Sequence, residues 1–110
     1  MSFEDLLVWK RAARLSADVY GATEELRDFG FRDQITRSGL SIASNIAEGY
    51  GRGGKRDRDR FLRYARGSCS ELRCQIYIGI EIGYLGREQA LAWARETKEL
   101  SRMLSALMGG

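Results

Sequence analysis

Seven basic residues crowd the stretch from Tyr50 to Arg66: Arg52, Lys55, Arg56, Arg58, Arg60, Arg63 and Arg66, against the two acids Asp57 and Asp59. This is a local excess of five positive charges in a chain whose net charge is +3, so the remainder sums to −2. A positive field this concentrated selects partners more than the net charge does. All but one of the seven are arginine, whose planar guanidinium fits phosphate and carboxylate oxygens two at a time. On a helix, Arg56, Arg60, Arg63, Arg66 and Arg73 fall within an arc of about 140°, opposite the apolar face. Such a face is either simply solvated or a phosphate-recognising surface. The preceding turn GYGRGG, residues 49–54, holds four glycines, which allow backbone geometries other residues avoid. It is not a Walker loop, because no Gly-Lys-Ser/Thr follows at the required spacing. The candidate nucleic-acid contacts are therefore Arg52, Lys55, Arg56, Arg60, Arg63 and Arg66. Five neutralised phosphates would give a log–log salt slope near −4.5.

Catalysis finds little support. The chain has no histidine, which removes Ser/His and Cys/His pairs, histidine metal sites and histidine pH switches. Glu48 and Glu71 are the only carboxylates that the pattern can bring together for acid–base work. No nucleophile accompanies them, so no catalytic residue, metal or cofactor is expected, and the protein is read as a non-enzyme. The two cysteines, Cys69 and Cys74, would point about 140° apart on one helix and cannot bridge each other within it. They read as small packed residues in a reducing compartment.

A second pattern is polar. Gln34, Ser38, Ser41, Asn45 and Glu48 recur at spacings of four, three, four and three, beside the apolar row Phe31, Ile35, Gly39, Ile42 and Ile46. Ser68, Glu71 and Gln75 form a matching row further on. Each row is either a solvated flank or one side of an inter-helix hydrogen-bond ladder, in which Glu71 would face Asn45 or Ser41, since a buried amide or carboxylate must find partners.

Helices must carry these rows. Charged residues make up 30 % and hydrophobic ones 44 % of the 110 residues, and proline is absent, which describes one globular helical domain. No apolar run reaches the roughly 18 residues of a membrane span. The N-terminus places acids before its first apolar cluster and a Lys-Arg pair within it, unlike a secretory signal, so a cytoplasmic location is expected. Helix one is predicted over about 3–26, with a capping box at Ser2 and Asp5 and a face of Val8, Trp9, Ala12, Ser16, Val19, Tyr20 and Thr23. A break follows, punctuated by Gly30. Helix two should span about 31–48 and helix three about 56–83, with Phe61, Ala65, Leu72, Ile76, Gly79 and Gly83 on its core face. After Gly83 and Gly86, helix four carries Ala90, Trp93, Thr97, Leu100, Leu104 and Leu107 and ends near Met108. Short turns between amphipathic helices predict an all-α, antiparallel up-down-up-down four-helix bundle.

FEDLLVWKRA, DQITRSGLSIASNIAEG, RFLRYARGSCSEL and the GYL turn, in this order, resemble the four-helix-bundle proteins encoded within intervening sequences of bacterial 23S ribosomal RNA genes. GFRDQ departs from the more usual glycine-leucine version but keeps an apolar residue at Phe31. The resemblance implies an antiparallel four-helix bundle that forms a homo-oligomer, a pentamer. It extends to the accessory variability proteins of diversity-generating retroelements, which are basic pentameric bundles that associate with a reverse transcriptase and nucleic acid. The matching motif residues are Gln34, Ser41, Asn45, Glu48, Ser68 and Glu71. Their place on helix seams implies a structural polar network rather than a catalytic one. The expected function is a non-enzymatic oligomeric bundle associated with RNA or DNA phosphates. The alternative is a protein-interaction or scaffold module using the arginine face, with exposed Leu91, Tyr77 and Tyr84.

Overall fold

The computed structural model describes residues 2–109. A 3₁₀ turn, Phe3–Asp5, precedes four helices: α1 (Leu7–Thr23), α2 (Phe29–Tyr50), α3 (Lys55–Glu81) and α4 (Arg87–Leu107). The connections at 24–28, 51–54 and 82–86 are too short for anything but antiparallel neighbours. Each helix packs on the next, α4 closes back on α1, and the diagonal pairs do not approach. The result is an all-α up-down-up-down bundle of 43 × 22 × 20 Å.

Most of the apolar rows bury as their periodicity predicts; on the α1 face Tyr20 stays exposed and Trp9 half-buried, because both line an open groove between α1 and α2. Val8, Ala12, Leu15 and Val19 of α1 meet Ile35, Ile42 and Ile46 of α2. Leu62, Ala65, Cys69, Leu72 and Ile76 of α3 and Ala90, Trp93, Leu100 and Leu104 of α4 complete the core. Each large side chain here is worth about 1.5–3 kcal/mol relative to exposure. Gly39 lies opposite the Ser16 backbone, where a Cβ would make ordinary contact at 3.7 Å.

Several boundaries differ from the sequence reading, each for a local reason. The capping box at Ser2 does not form: its hydroxyl contacts Glu4, and no side chain caps this end. Leu6 is extended, so α1 begins at Leu7 and ends at Thr23 rather than near residue 26. Gly30 is not a break but lies in the first turn of α2, because Asp28 Oδ1 accepts from the Phe31 N–H at 3.0 Å and starts the helix. At the end of α3, Gly83 takes φ +80°. The Tyr84 N–H bonds Gly79 O at 2.9 Å and the Gly83 N–H bonds Ile80 O at 3.1 Å, a Schellman closure. Gly83 thus belongs to the turn rather than the core face. Phe61, also expected in the core, is only half-buried.

Candidate nucleic-acid interface

The basic stretch sits where α2 ends, the glycine turn crosses and α3 begins. Gly49 sets that junction. A Cβ there would lie 3.0 Å from Arg58 O and 3.1 Å from Phe61 Cβ, tighter than an ordinary contact, so glycine lets α3 cross this close without displacement. Phe61 is thereby held at the junction, with the Arg52 guanidinium 4.7 Å and the Arg60 guanidinium 4.9 Å from its ring centre. Tyr64, one turn on, meets Phe61 edge to face at 5.5 Å and stays 49 % exposed. Arg58 lies 5.4 Å from the Tyr50 ring.

The six candidate cations divide into three groups. Arg56 and Arg63 are exposed and make no ion pair or side-chain hydrogen bond among the described residues. Arg52 and Arg60 are held by ion pairs, to Glu48 at 3.5 Å and to Asp57 at 3.1 Å, that stay open to water. Lys55 and Arg66 are engaged within the chain. Lys55 bonds the Asp59 carboxylate and, at 3.3 Å, Met108 O, while Arg66 donates to Ser105 Oγ at 2.9 Å. Arg73 similarly donates to Thr97 Oγ1 at 3.3 Å. The lower part of the arginine arc therefore leans onto α4: Arg66 is half-buried there, whereas Lys55 stays exposed but is tied to the buried Asp59, so four of the six cations are free of a partner in the core or on α4. Asp59, 9 % exposed, is the counter-charge inside the cluster, and its hydrogen bond from Lys55 holds its carboxyl below the usual range.

The polar rows meet across the α2–α3 seam in part. The Ser41 and Ser68 hydroxyls are 2.8 Å apart, and Asn45 Nδ2 donates to Ser41 O at 2.9 Å and Ser41 Oγ at 3.0 Å. Glu71 faces Ser38, at 3.1 Å, rather than Ser41 or Asn45. Glu48 is exposed and turns to Arg52, and the Gln34 side chain is exposed, leaving only its carbonyl to accept from Ser38 at 3.0 Å. Gln75 Oε1 is buried without a partner among the described residues. Ser38 and Glu48 stand ten residues apart on α2, about 15 Å along its axis, so Glu48 and Glu71 do not converge on one site.

Among the described residues no group of three or more acidic or cysteine side chains could hold a metal ion. Both cysteines are free. Cys69 is buried, which pushes its thiol up to about 11, and Cys74 is exposed. Of the side chains expected at an interface, Tyr77 is exposed, but Leu91 is half-buried and Tyr84 packs against Phe31. A wider apolar groove, ≈ 410 Å³, lies instead between α1 and α2, lined by Trp9, Ala13, Tyr20, Leu40 and Ala47 among others. Among the described residues no helix is long and apolar enough to cross a membrane. The sequence reading missed the aromatic half of the basic site, Phe61 and Tyr64. Their signal was the interleaving of arginine and aromatic residues in RDRFLRYAR.

Comparison with known proteins agrees with this architecture. A family model described as 23S rRNA-intervening sequence protein matches residues 4–106. No curated protein matches. The chain is similar to the crystal structure of a protein of unknown function from the S23 ribosomal protein family of Bacteroides thetaiotaomicron. The TM-score is 0.87 at 23 % identity, with 94 % of this chain and 100 % of that one covered. At that identity the likeness shows the four-helix fold alone.

Proposed function

We propose that this chain, which belongs to the 23S rRNA-intervening sequence protein family, is a non-enzymatic, oligomeric helical bundle that associates with the phosphate backbone of RNA or DNA. The observation that carries this reading is the cluster of Arg52, Arg56, Arg60 and Arg63 at one end of the α2–α3 pair, with Arg56 and Arg63 lacking a partner among the described residues. In a homo-oligomer, a pentamer by family resemblance, each copy repeats the cluster. Weak contacts then act together on one polyanion.

Four neutralised phosphates per copy give a slope of log K against log salt near −3.6 on duplex DNA. This is shallower than the value six open cations would allow, because Lys55 and Arg66 are already engaged. Arg56→Gln and Arg63→Gln should each lower the slope by about 0.9 and weaken binding to all sequences alike. A fluorescence anisotropy titration at several salt concentrations reads both, and an affinity that ignores salt would sink the proposal.

A second reading is a protein-interaction module. The α1–α2 groove favours it, because Tyr20 and Leu40 remain 46 % and 47 % exposed beside small residues, an apolar patch of the kind that marks interfaces. Two variants separate the readings, the charge reversal Arg60→Glu with Arg63→Glu at the basic end and Leu40→Glu in the groove. Loss of nucleic-acid retention in the first with the oligomer intact supports the phosphate reading, and loss of the oligomer in the second by light scattering supports the module.

A further inference from the structure

A surface that only neutralises phosphates needs no aromatic rings, yet this one is built around two. Phe61 is flanked by the guanidiniums of Arg52 and Arg60 at 4.7 and 4.9 Å. Its edge-to-face contact fixes Tyr64, whose ring is half exposed although it belongs to no core cluster. The contacts restrict both arginine heads and the tyrosine before any ligand arrives. Each therefore loses less freedom on binding than a free surface side chain would. From Arg56 to Tyr64 is about 12 Å along α3, so cations and ring lie within reach of the same few nucleotides.

Resting on the phosphate-binding reading above, we infer that this site takes unpaired nucleotides, with a base stacked on Tyr64 while Arg56, Arg60 and Arg63 hold the flanking phosphates. A duplex hides its base faces, whereas a single strand offers them to an aromatic ring whatever the sequence. The geometry also sets the direction of the strand. Below Tyr64 the α2–α3 seam continues into Ser41, Ser68 and then exposed Glu71, whose carboxylate would repel a phosphate. The strand therefore crosses the bundle end over the first turns of α3 instead of running down the seam.

The test uses the intact protein with three labelled probes of equal length, about 12 nucleotides: oligo-dT, an oligonucleotide of abasic sites, and a DNA duplex. Wild-type protein should bind oligo-dT more tightly than the abasic strand by about 5- to 150-fold, the loss associated with one base–aromatic stack. Tyr64→Ala should lose the same factor on oligo-dT and nothing on the abasic strand or the duplex, while Tyr64→Phe keeps full affinity. The salt slope should be unchanged by either substitution, because no charge is removed. Equal affinity for oligo-dT and the abasic strand would overturn the inference without needing any variant to fold, and so would a Tyr64→Ala protein that binds oligo-dT like wild type. If either occurs while the duplex still binds with the expected salt slope, the phosphate reading stands and only stacking falls. If no probe binds, both fall.

Discussion

A methyl group added at Gly79 would lie 2.5 Å from Leu85 Cδ1, 2.8 Å from its Cγ and 3.0 Å from Phe31 Cζ. Leu85 is buried in the turn that closes α3, where its N–H bonds Gly79 O, and Phe31 packs against the same core, so a side chain must shift to admit the methyl. At Gly39 the equivalent methyl meets Ser16 Cα at 3.7 Å and Leu72 Cδ2 at 3.9 Å, which is ordinary contact. Gly79→Ala should therefore cost about 1–3 kcal/mol through overpacking. Gly39→Ala should be neutral or gain up to about 1 kcal/mol from helix propensity. Thermal melts of the two variants decide it, and equal shifts would contradict the geometric distinction. In the sequence the two glycines look alike, since both lie on apolar rows at helical spacing. What separates them is the neighbour each meets, a folded-back leucine or a helix backbone, and periodicity carries no information about that.

At the scale of elements the four helices were legible because their apolar rows repeat at three and four residues, and the seam of α4 from Ala90 to Leu104 buried throughout. Directions around each helix were legible too, but not which neighbour stands on which flank. Arg66 and Arg73 were placed off the core face, yet α4 lies on that side and takes their hydrogen bonds. The start of α2 was missed because Gly30 resembles a breaker, whereas Asp28 two residues earlier supplies the cap. That cap also ties two connections together: Asp28 Oδ2 accepts from the Tyr84 hydroxyl at 2.9 Å. The Phe31 N–H, followed by this hydroxyl, holds the Asp28 carboxyl below its ordinary value. A depressed carboxyl stabilises the fold above its unfolded pKa, about 3.9. The contribution disappears as pH falls through the lower folded value. Asp28→Asn, which can still accept the cap hydrogen bond, should show a smaller drop in Tm than wild type on acidification from about pH 5 to about pH 2. Parallel Tm–pH curves would show that Asp28 contributes nothing to acid sensitivity.

Across the whole molecule the packing is uneven, and the unevenness separates the basic end from the part most prone to open. The α2–α3 pair, which carries the basic cluster, is the most extensively packed, and the α1–α4 closure is the sparsest of the four seams. Two grooves follow that sparse seam, one of ≈ 290 Å³ beside Arg14, Leu15 and Trp93 and one of ≈ 330 Å³ beside Leu7 and Met103. What spans it is a forked pair: Arg11 Nε donates to Glu96 Oε2 at 2.8 Å and Arg11 Nη2 to Glu96 Oε1 at 2.5 Å. Both side chains are partly covered, so the pair is worth about 1 kcal/mol, more than an exposed one and less than a buried one. Local opening should begin where few apolar contacts must break, at α1 and α4. Glu96→Gln should then lower stability by about that amount and speed amide exchange in α1 and α4 before α2 and α3, with a smaller effect at high salt. Hydrogen exchange read by mass spectrometry distinguishes this from uniform loosening, in which all four helices would quicken together. Because the arginine and tyrosine cluster belongs to the opposite, firmer pair, the same substitution should leave nucleic-acid affinity unchanged. A parallel loss of binding would mean that the basic end depends on the α1–α4 closure after all.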